Sequence, residues 1–252
     1  MRILIITSFC FLCFDVWAWT LNSSSRRGFP TNEVVVEVAT SSCSNTSFSS
    51  NELKDLVEEA VSQFWNAVST SGLKLTVEQR SIDVSGATTL GTIADLASHN
   101  KILVGCNSGI SSFSDGSILG VGGLQCTSSY CQGAVALNDA AGTNLASVSH
   151  SVVLATFAHE LGHALGLGHS SVEFALMFYS VGGKDQEFLA EDDMKGISWL
   201  YPLDKKLAGL GGSCATIDDG TNSWRISKTF FLLLFFIFSF YLIKIRNDLK
   251  KL

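Results

Sequence analysis

The sequence predicts an α+β domain, and three observations carry that expectation. Short β-branched or alternating segments recur at residues 33–39, 73–78, 101–104, 118–124 and 134–138. Two longer stretches, at 53–68 and 154–165, place apolar residues at helical i, i+3, i+4 spacing. Once two apolar ends are set aside, about 206 residues remain, and a domain of about 150 residues already buries roughly 68–70% of its unfolded-chain surface.

The first strand is Glu33-Val-Val-Val-Glu-Val-Ala39, bounded by Pro30 and a serine-rich stretch. Ser49 and Glu52 then form a capping box. It opens a helix whose stripe runs Leu53, Leu56, Val57, Ala60, Val61, Phe64, Trp65 and Val68 and which Gly72 is expected to end. Leu73–Glu78 alternates as a second strand, followed by Lys101–Val104, Ile118–Leu124 and Ala134–Asn138. The fourth strand carries Gly120, Gly122 and Gly123, which weaken a strand unless another backbone comes close. An edge where an extended peptide could lie and a bulge explain them equally well. A helix from Ser151 to Leu165 packs Leu154, Phe157, Leu161 and Leu165 at helical spacing.

Hydrophobic residues make up 46% of the 252, charged residues only 16%, and the net charge is −6. Such a chain is no disordered polyanion. With no basic surplus to neutralise phosphates, nucleic acid is not expected as a partner. Residues 1–18 read as a signal peptide, with Arg2, an apolar run Ile3–Phe14, and Val16 and Ala18 at the −3 and −1 positions of a cleavage site. Residues 208–224 read as a juxtamembrane linker and 225–243 as a membrane span, with Arg225 and Lys228 snorkelling outward. The basic tail 244–252 would lie in the cytoplasm and leave the domain outside. Charge divides accordingly: residues 19–224 carry 10 Lys+Arg against 21 Asp+Glu, whereas 225–252 carry 6 against 1. Cysteines of an exported domain are disulfide candidates. Cys126 and Cys131 would staple one loop, and Cys43 with Cys106 is a second candidate pair that leaves Cys214 unpaired.

Three of the five histidines fall within eleven residues, in His159-Glu160-Leu-Gly-His163-Ala-Leu-Gly166-Leu-Gly-His169. Four residues apart on a helix, His159 and His163 project from one face and can share a metal ion. Gly166 allows the chain to turn sharply and bring His169 to the same ion. Three imidazoles leave a fourth tetrahedral position open to water, the pattern of a catalytic zinc. Glu160 stands beside that position as the base.

This motif resembles that of the metzincin zinc endopeptidases, and its surroundings are similar to the matrixin, or matrix metalloproteinase, family. Ser170 follows the third histidine, and Met177 lies eight residues beyond it in a segment similar to the family's Met-turn. Leu189–Tyr201 resembles the family's C-terminal helix, whose paired acids Asp192 and Asp193 would anchor it near that turn. The resemblance implies a twisted five-stranded mixed sheet with an active-site helix and a small C-terminal subdomain, in a protease domain of residues 19–207. It also implies one catalytic zinc and a protein or peptide substrate added to the edge strand at Ile118, Leu119, Gly120, Val121 and Gly122. Calcium is a further expected cation, with Asp115, Asp139 and glycine-rich loop carbonyls as ligands. A monomeric, zinc-dependent endopeptidase is therefore expected, the alternative being a silent metzincin-fold binding or adhesion module. Three departures qualify the resemblance. No histidine occurs in Ser112–Asn138 to hold a second zinc, no Pro-Arg-Cys-Gly switch precedes the domain, and Phe178-Tyr179 replaces the proline usual after the Met-turn methionine. His99 and His150 are expected at the surface.

Overall fold

The valine-rich run forms β1 (Glu33–Ala39), with a parallel neighbour on each side. The computed structural model describes residues 19–22, 28–40, 43–179 and 185–203. The other strands are β2 (Lys74–Arg80), β3 (Lys101–Asn107), β4 (Gly120–Cys126) and β5 (Cys131–Asn138). They make one mixed sheet in the order β2-β1-β3-β5-β4, in which β4 and β5 run antiparallel. The chain thus has the expected α+β class and five-stranded sheet.

Alternation along the strands sorts side chains into two layers. Val34, Val36, Val38, Ile102, Val104, Val135 and Leu137 belong to the larger core cluster, together with apolar residues of the first and third helices. Ala39, Leu103, Ala134 and Ala136 belong to a smaller cluster with Ile93.

The first helix, α1 (Ser50–Ala60), begins at the expected capping box. The Ser49 hydroxyl accepts the Glu52 N–H at 3.2 Å, and the Glu52 carboxylate accepts the Ser49 N–H at 2.8 Å. Helical turns continue through Val61–Trp65 and close where the Asn66 N–H meets the Val61 carbonyl. The helix ends there, not at Gly72. Asn66 instead engages β2 through its side chain, accepting the Leu75 N–H at 2.8 Å and donating to its carbonyl at 3.0 Å.

A short helix, α2 (Leu90–Leu96), was not foreseen. Its seven residues bury only Ile93 and Ala94, too few to establish a period. The last two helices are α3 (His150–Leu165), capped by Ser149, and α4 (Glu191–Leu200).

Disulfides join Cys43 to Cys106 and Cys126 to Cys131. The second closes the β4–β5 hairpin at its turn. The expected signal peptide, linker, span and tail, and Cys214, lie outside the described residues. No helix among the described residues is long and apolar enough to cross a membrane.

One charged side chain is buried within the sheet. Glu37, 2% exposed, accepts from the Ser98 hydroxyl at 2.7 Å, Arg80 at 2.9 Å and Lys101 at 3.1 Å. Burial alone would push its carboxyl up, but Ser98, Lys101 and Arg80 together hold it below the usual carboxylate range.

Candidate metal centre

The centre is built on α3. Ser149 accepts the Val152 N–H to start the helix, and Val153–Leu165 are all buried. Gly166 ends it with φ of 110°, a left-handed conformation that costs an L side chain roughly 1–2 kcal/mol. The turn carries the chain back so that His169 meets His163, with their Nε2 atoms 3.2 Å apart. One ligand atom from each of His159, His163 and His169 lies within 4.8 Å of the others. Among the described residues they are the one such group of metal-binding side chains.

Backbone carbonyls orient two of the rings. His159 Nδ1 lies 2.7 Å from the Leu176 carbonyl, and His163 Nδ1 lies 2.8 Å from that of Leu167. A carbonyl only accepts, so each Nδ1 carries the proton and each Nε2 keeps a lone pair for a metal. Burial, and secondarily the neighbouring His169, drives the His163 pKa down to about 4 despite the Leu167 bond, so the ring is neutral at pH 7. Three converging imidazoles, two of them with the second nitrogen held on a carbonyl, suit zinc.

Glu160, 7% exposed, sits on the helix beside this group. Burial raises its pKa to about 7, opposed by a single hydrogen bond from the Gly122 backbone. That bond explains a β4 glycine. A Cβ at Gly122 would overlap the backbone of Glu160, so only glycine lets β4 pass this close to α3. The close backbone belongs to the protein's own helix.

Met177 packs beneath α3, where a Cβ at Gly162 would overlap its Sδ and crowd Trp65. Trp65 in turn donates from Nε1 to the Ala158 carbonyl at 3.1 Å. The turn bearing Met177 is held by Asp193, whose carboxylate accepts the N–H groups of Leu176 at 2.8 Å, Met177 at 3.0 Å and Ala190 at 2.9 Å. Burial raises the Asp193 pKa against the pull of those three donors. Asp192 accepts from the Ser170 hydroxyl at 2.5 Å, and Ser170 donates its N–H to the Met177 carbonyl. The two acids therefore tie α4 to both sides of the turn.

Some expected positions fall elsewhere. Ile118 and Leu119 precede β4, and both carbonyls accept from Asn138, its side chain and its N–H respectively. They face β5 rather than an open edge. Gly120, Val121 and Gly122 do lie on β4, an edge strand of the sheet. Asp139 is committed to the turn Ser44–Thr46, whose hydroxyls and amides donate to its carboxylate at 2.8–3.0 Å. Asp115 accepts the Ser117 N–H at 2.9 Å. These bonds give no support to a calcium site at either acid. His99 stacks on Tyr130, and His150 pairs with Glu59 at 2.8 Å.

Sequence reasoning missed a strap at residues 19–22. Asn22 donates its N–H to the Gly166 carbonyl at 2.9 Å, and Leu21 bridges Leu167 in antiparallel register. Gly168 donates to the Thr20 carbonyl at 2.8 Å, and the Thr20 hydroxyl to the His169 carbonyl at 2.8 Å. Trp19 meets Trp199 of α4 at 5.1 Å between ring centroids. Backbone bonds set this register, so no side-chain pattern announces it.

Residues 98–202 match the family model for matrixins. The chain is 45% identical over 73 residues to Metalloendoproteinase 5-MMP of Arabidopsis thaliana, covering 27% of this chain and 20% of that protein. It is 40% identical over 88 residues to Metalloendoproteinase 2-MMP of the same plant, covering 32% and 23%. With human Matrilysin it shares 56% identity over 45 residues, 17% of each chain. The chain thus spans about a fifth of the length of these relatives.

Proposed function

We propose that the chain is a matrixin-type, zinc-dependent endopeptidase with Glu160 as its general base, a reading supported by the match of residues 98–202 to the matrixin family model. The observation that supports this best is the trio of converging histidines, two with Nδ1 fixed on carbonyls, beside a buried glutamate with one donor. In this reading His159, His163 and His169 hold the zinc.

Bound there, zinc would lower the pKa of a coordinated water towards about 7 and polarise the scissile carbonyl. Glu160 accepts the proton of the attacking water and hands it to the departing amine. Its burial suits both steps, since a carboxyl near neutrality can take a proton and release it. Asp193 and Met177 fix the floor under His159 by holding the turn whose Leu176 carbonyl orients that ring.

The substrate would add to the open edge of β4. Leu119 and Thr127 direct their backbone groups towards β5 and its turn, so alternation turns Gly120, Gly122 and Leu124 outward. The Gly122 N–H already meets Glu160, which leaves Gly120 and Leu124 to pair with a peptide. Export and a C-terminal anchor belong to the same proposal, supported by the apolar runs at 3–14 and 230–243 and the basic residues beyond 243. A silent binding module is the poorer reading, because all three histidines and the glutamate are present.

The test is a peptide-library digest by the purified full-length protein with zinc, with and without a chelator. Chelator-sensitive cleavage inside peptides is expected. Cleavage that ignores the chelator, or none at all, overturns the reading.

A further inference from the structure

His169 is the one histidine of the trio that α3 does not carry, because it stands past the Gly166 turn. Two anchors bracket it. On its C-terminal side the Ser170 N–H donates to the Met177 carbonyl at 2.7 Å, and Ser170 bridges Phe178. The other anchor is the strap, in which Thr20 lies 149 positions from His169 in sequence.

The strap reaches the backbone of two of the histidines. The Thr20 hydroxyl donates to the His169 carbonyl at 2.8 Å, and the Asn22 side chain donates to that of His163 at 3.2 Å. Between them the Gly168 N–H meets the Thr20 carbonyl at 2.8 Å and the Asn22 N–H meets that of Gly166 at 2.9 Å. With Leu21 bridging Leu167, every residue from Gly166 to His169 is held by the strap. Gly168 marks how closely the two segments run. Unlike Gly166 it has no left-handed φ, so the turn itself does not call for glycine there. A Cβ at Gly168 would instead overlap the Thr20 hydroxyl and come to 2.8 Å from the Leu21 carbonyl oxygen. Trp19 secures the end of the strap, packing on Trp199 and coming to 3.3 Å from a Cβ placed at Gly196 of α4. Since Asp192 and Asp193 hold the Met177 turn, both anchors of His169 lead back to α4.

We propose that Thr20 is a positioning residue of the metal centre, holding His169 through its carbonyl so that the zinc site is complete only while the strap is docked. The inference rests on the reading that the three histidines hold zinc, and goes beyond it by making the strap part of the centre. Two ligands on one helix are arranged before a metal arrives, whereas a ligand beyond a turn is ordered by what it touches. A docked strap removes that freedom during folding, and the metal then meets three placed ligands instead of two.

The experiment measures the zinc Kd of the full-length protein by competition with a chromophoric chelator. Thr20→Val keeps the shape of the side chain and removes its donor. It should weaken zinc binding about tenfold, the low end of the cost of losing a partner behind a metal ligand, because Thr20 acts on the backbone of His169 rather than on its ring. Thr20→Ser keeps the hydroxyl and should bind zinc as the parent does. Gly168→Ala disturbs the same contact from the opposite side and should also weaken zinc. Ser98→Ala is the control, since it removes a hydroxyl bonded to Glu37 in the sheet and lowers stability away from the turn. Parent-like affinity in Thr20→Val, equal loss in Thr20→Ser, or equal loss in Ser98→Ala each overturn the inference. A wild-type peptide digest separates the two readings. Zinc binding that depends on Thr20 but brings no cleavage sinks the endopeptidase reading alone. Chelator-sensitive cleavage with a zinc affinity indifferent to Thr20 sinks this one alone.

Discussion

Glu37 and Glu160 are both buried carboxylates, yet the protein treats them oppositely. Glu37 lies in the sheet with a hydroxyl, an amide, a guanidinium and an ammonium around it, and its pKa is lowered. Glu160 lies on α3 with one backbone N–H, and its pKa rises to about 7. A carboxylate that only has to be buried is saturated with donors, because an unpaired buried charge is costly. One that must exchange a proton is left short of them. The sheet stores no reactivity at Glu37, whereas α3 keeps an acid with a single donor beside the three histidines.

The largest effect that could break this contrast is on turnover. Glu160→Gln should lower kcat by roughly 10²–10⁴-fold, the usual contribution of a positioned acid–base group. Zinc content by atomic absorption should match the parent, since the three histidines are untouched. Retained turnover in a zinc-replete variant removes Glu160 from the chemistry.

The same substitution should raise the stability of the chelated, metal-free protein. The folded-state pKa of Glu160 exceeds its unfolded value of 4.5, so the folded state binds the extra proton between 4.5 and about 7. Its contribution is therefore lost as pH rises, and at pH 8 the ionised side chain costs up to about 3 kcal/mol. Glu160→Gln should recover much of that at pH 8 and little at pH 4, read from urea midpoints. His163 works with the opposite sign. Its folded pKa, about 4, lies below 6.5, so the unfolded chain binds more protons and stability falls as pH drops from 6.5 towards 4. At Glu37 the comparison reverses. Glu37→Gln should destabilise by about 2 kcal/mol, below the 3–5 kcal/mol of a fully buried pair because Arg80 and Lys101 are about one-third exposed and can turn to water.

The two carboxylates also differ in how far the sequence announced them. Glu160 was legible because its partners are local. Helical spacing alone puts His159 and His163 on one face, and Gly166 marks the turn to His169. Glu37 was one polar residue in a β-branched run, and its partners lie 43, 61 and 64 positions away in β2, the α2–β3 loop and β3. Strand segments and the two long helices were readable from period, whereas α2 was too short to show one. The β4 glycines were visible, but Gly122 answers to the Glu160 backbone across the fold. The strap at Thr20–Asn22 had no signal, since its pairing with Gly166–Gly168 runs mainly through backbone atoms.

Tyr201 sharpens the comparison at its smallest scale, as a buried polar group saturated like Glu37 but set beside the metal centre. Its hydroxyl donates to the Leu165 carbonyl at 2.7 Å and accepts the Phe29 N–H at 3.1 Å. Leu165 is the last residue of α3, so this bond satisfies a helix-terminal carbonyl immediately before the Gly166 turn. Tyr201→Phe keeps the ring in place and leaves both backbone groups unpaired, which should cost about 1–2 kcal/mol in urea denaturation. Because the turn carries His169, the variant should also bind zinc a few-fold more weakly in competition with a chelator, with kcat at saturating zinc unchanged. A fall in kcat with unaltered zinc affinity would mean that Tyr201 acts on the chemistry rather than on the turn, and the division between saturated structural groups and unsaturated reactive ones would have to be redrawn.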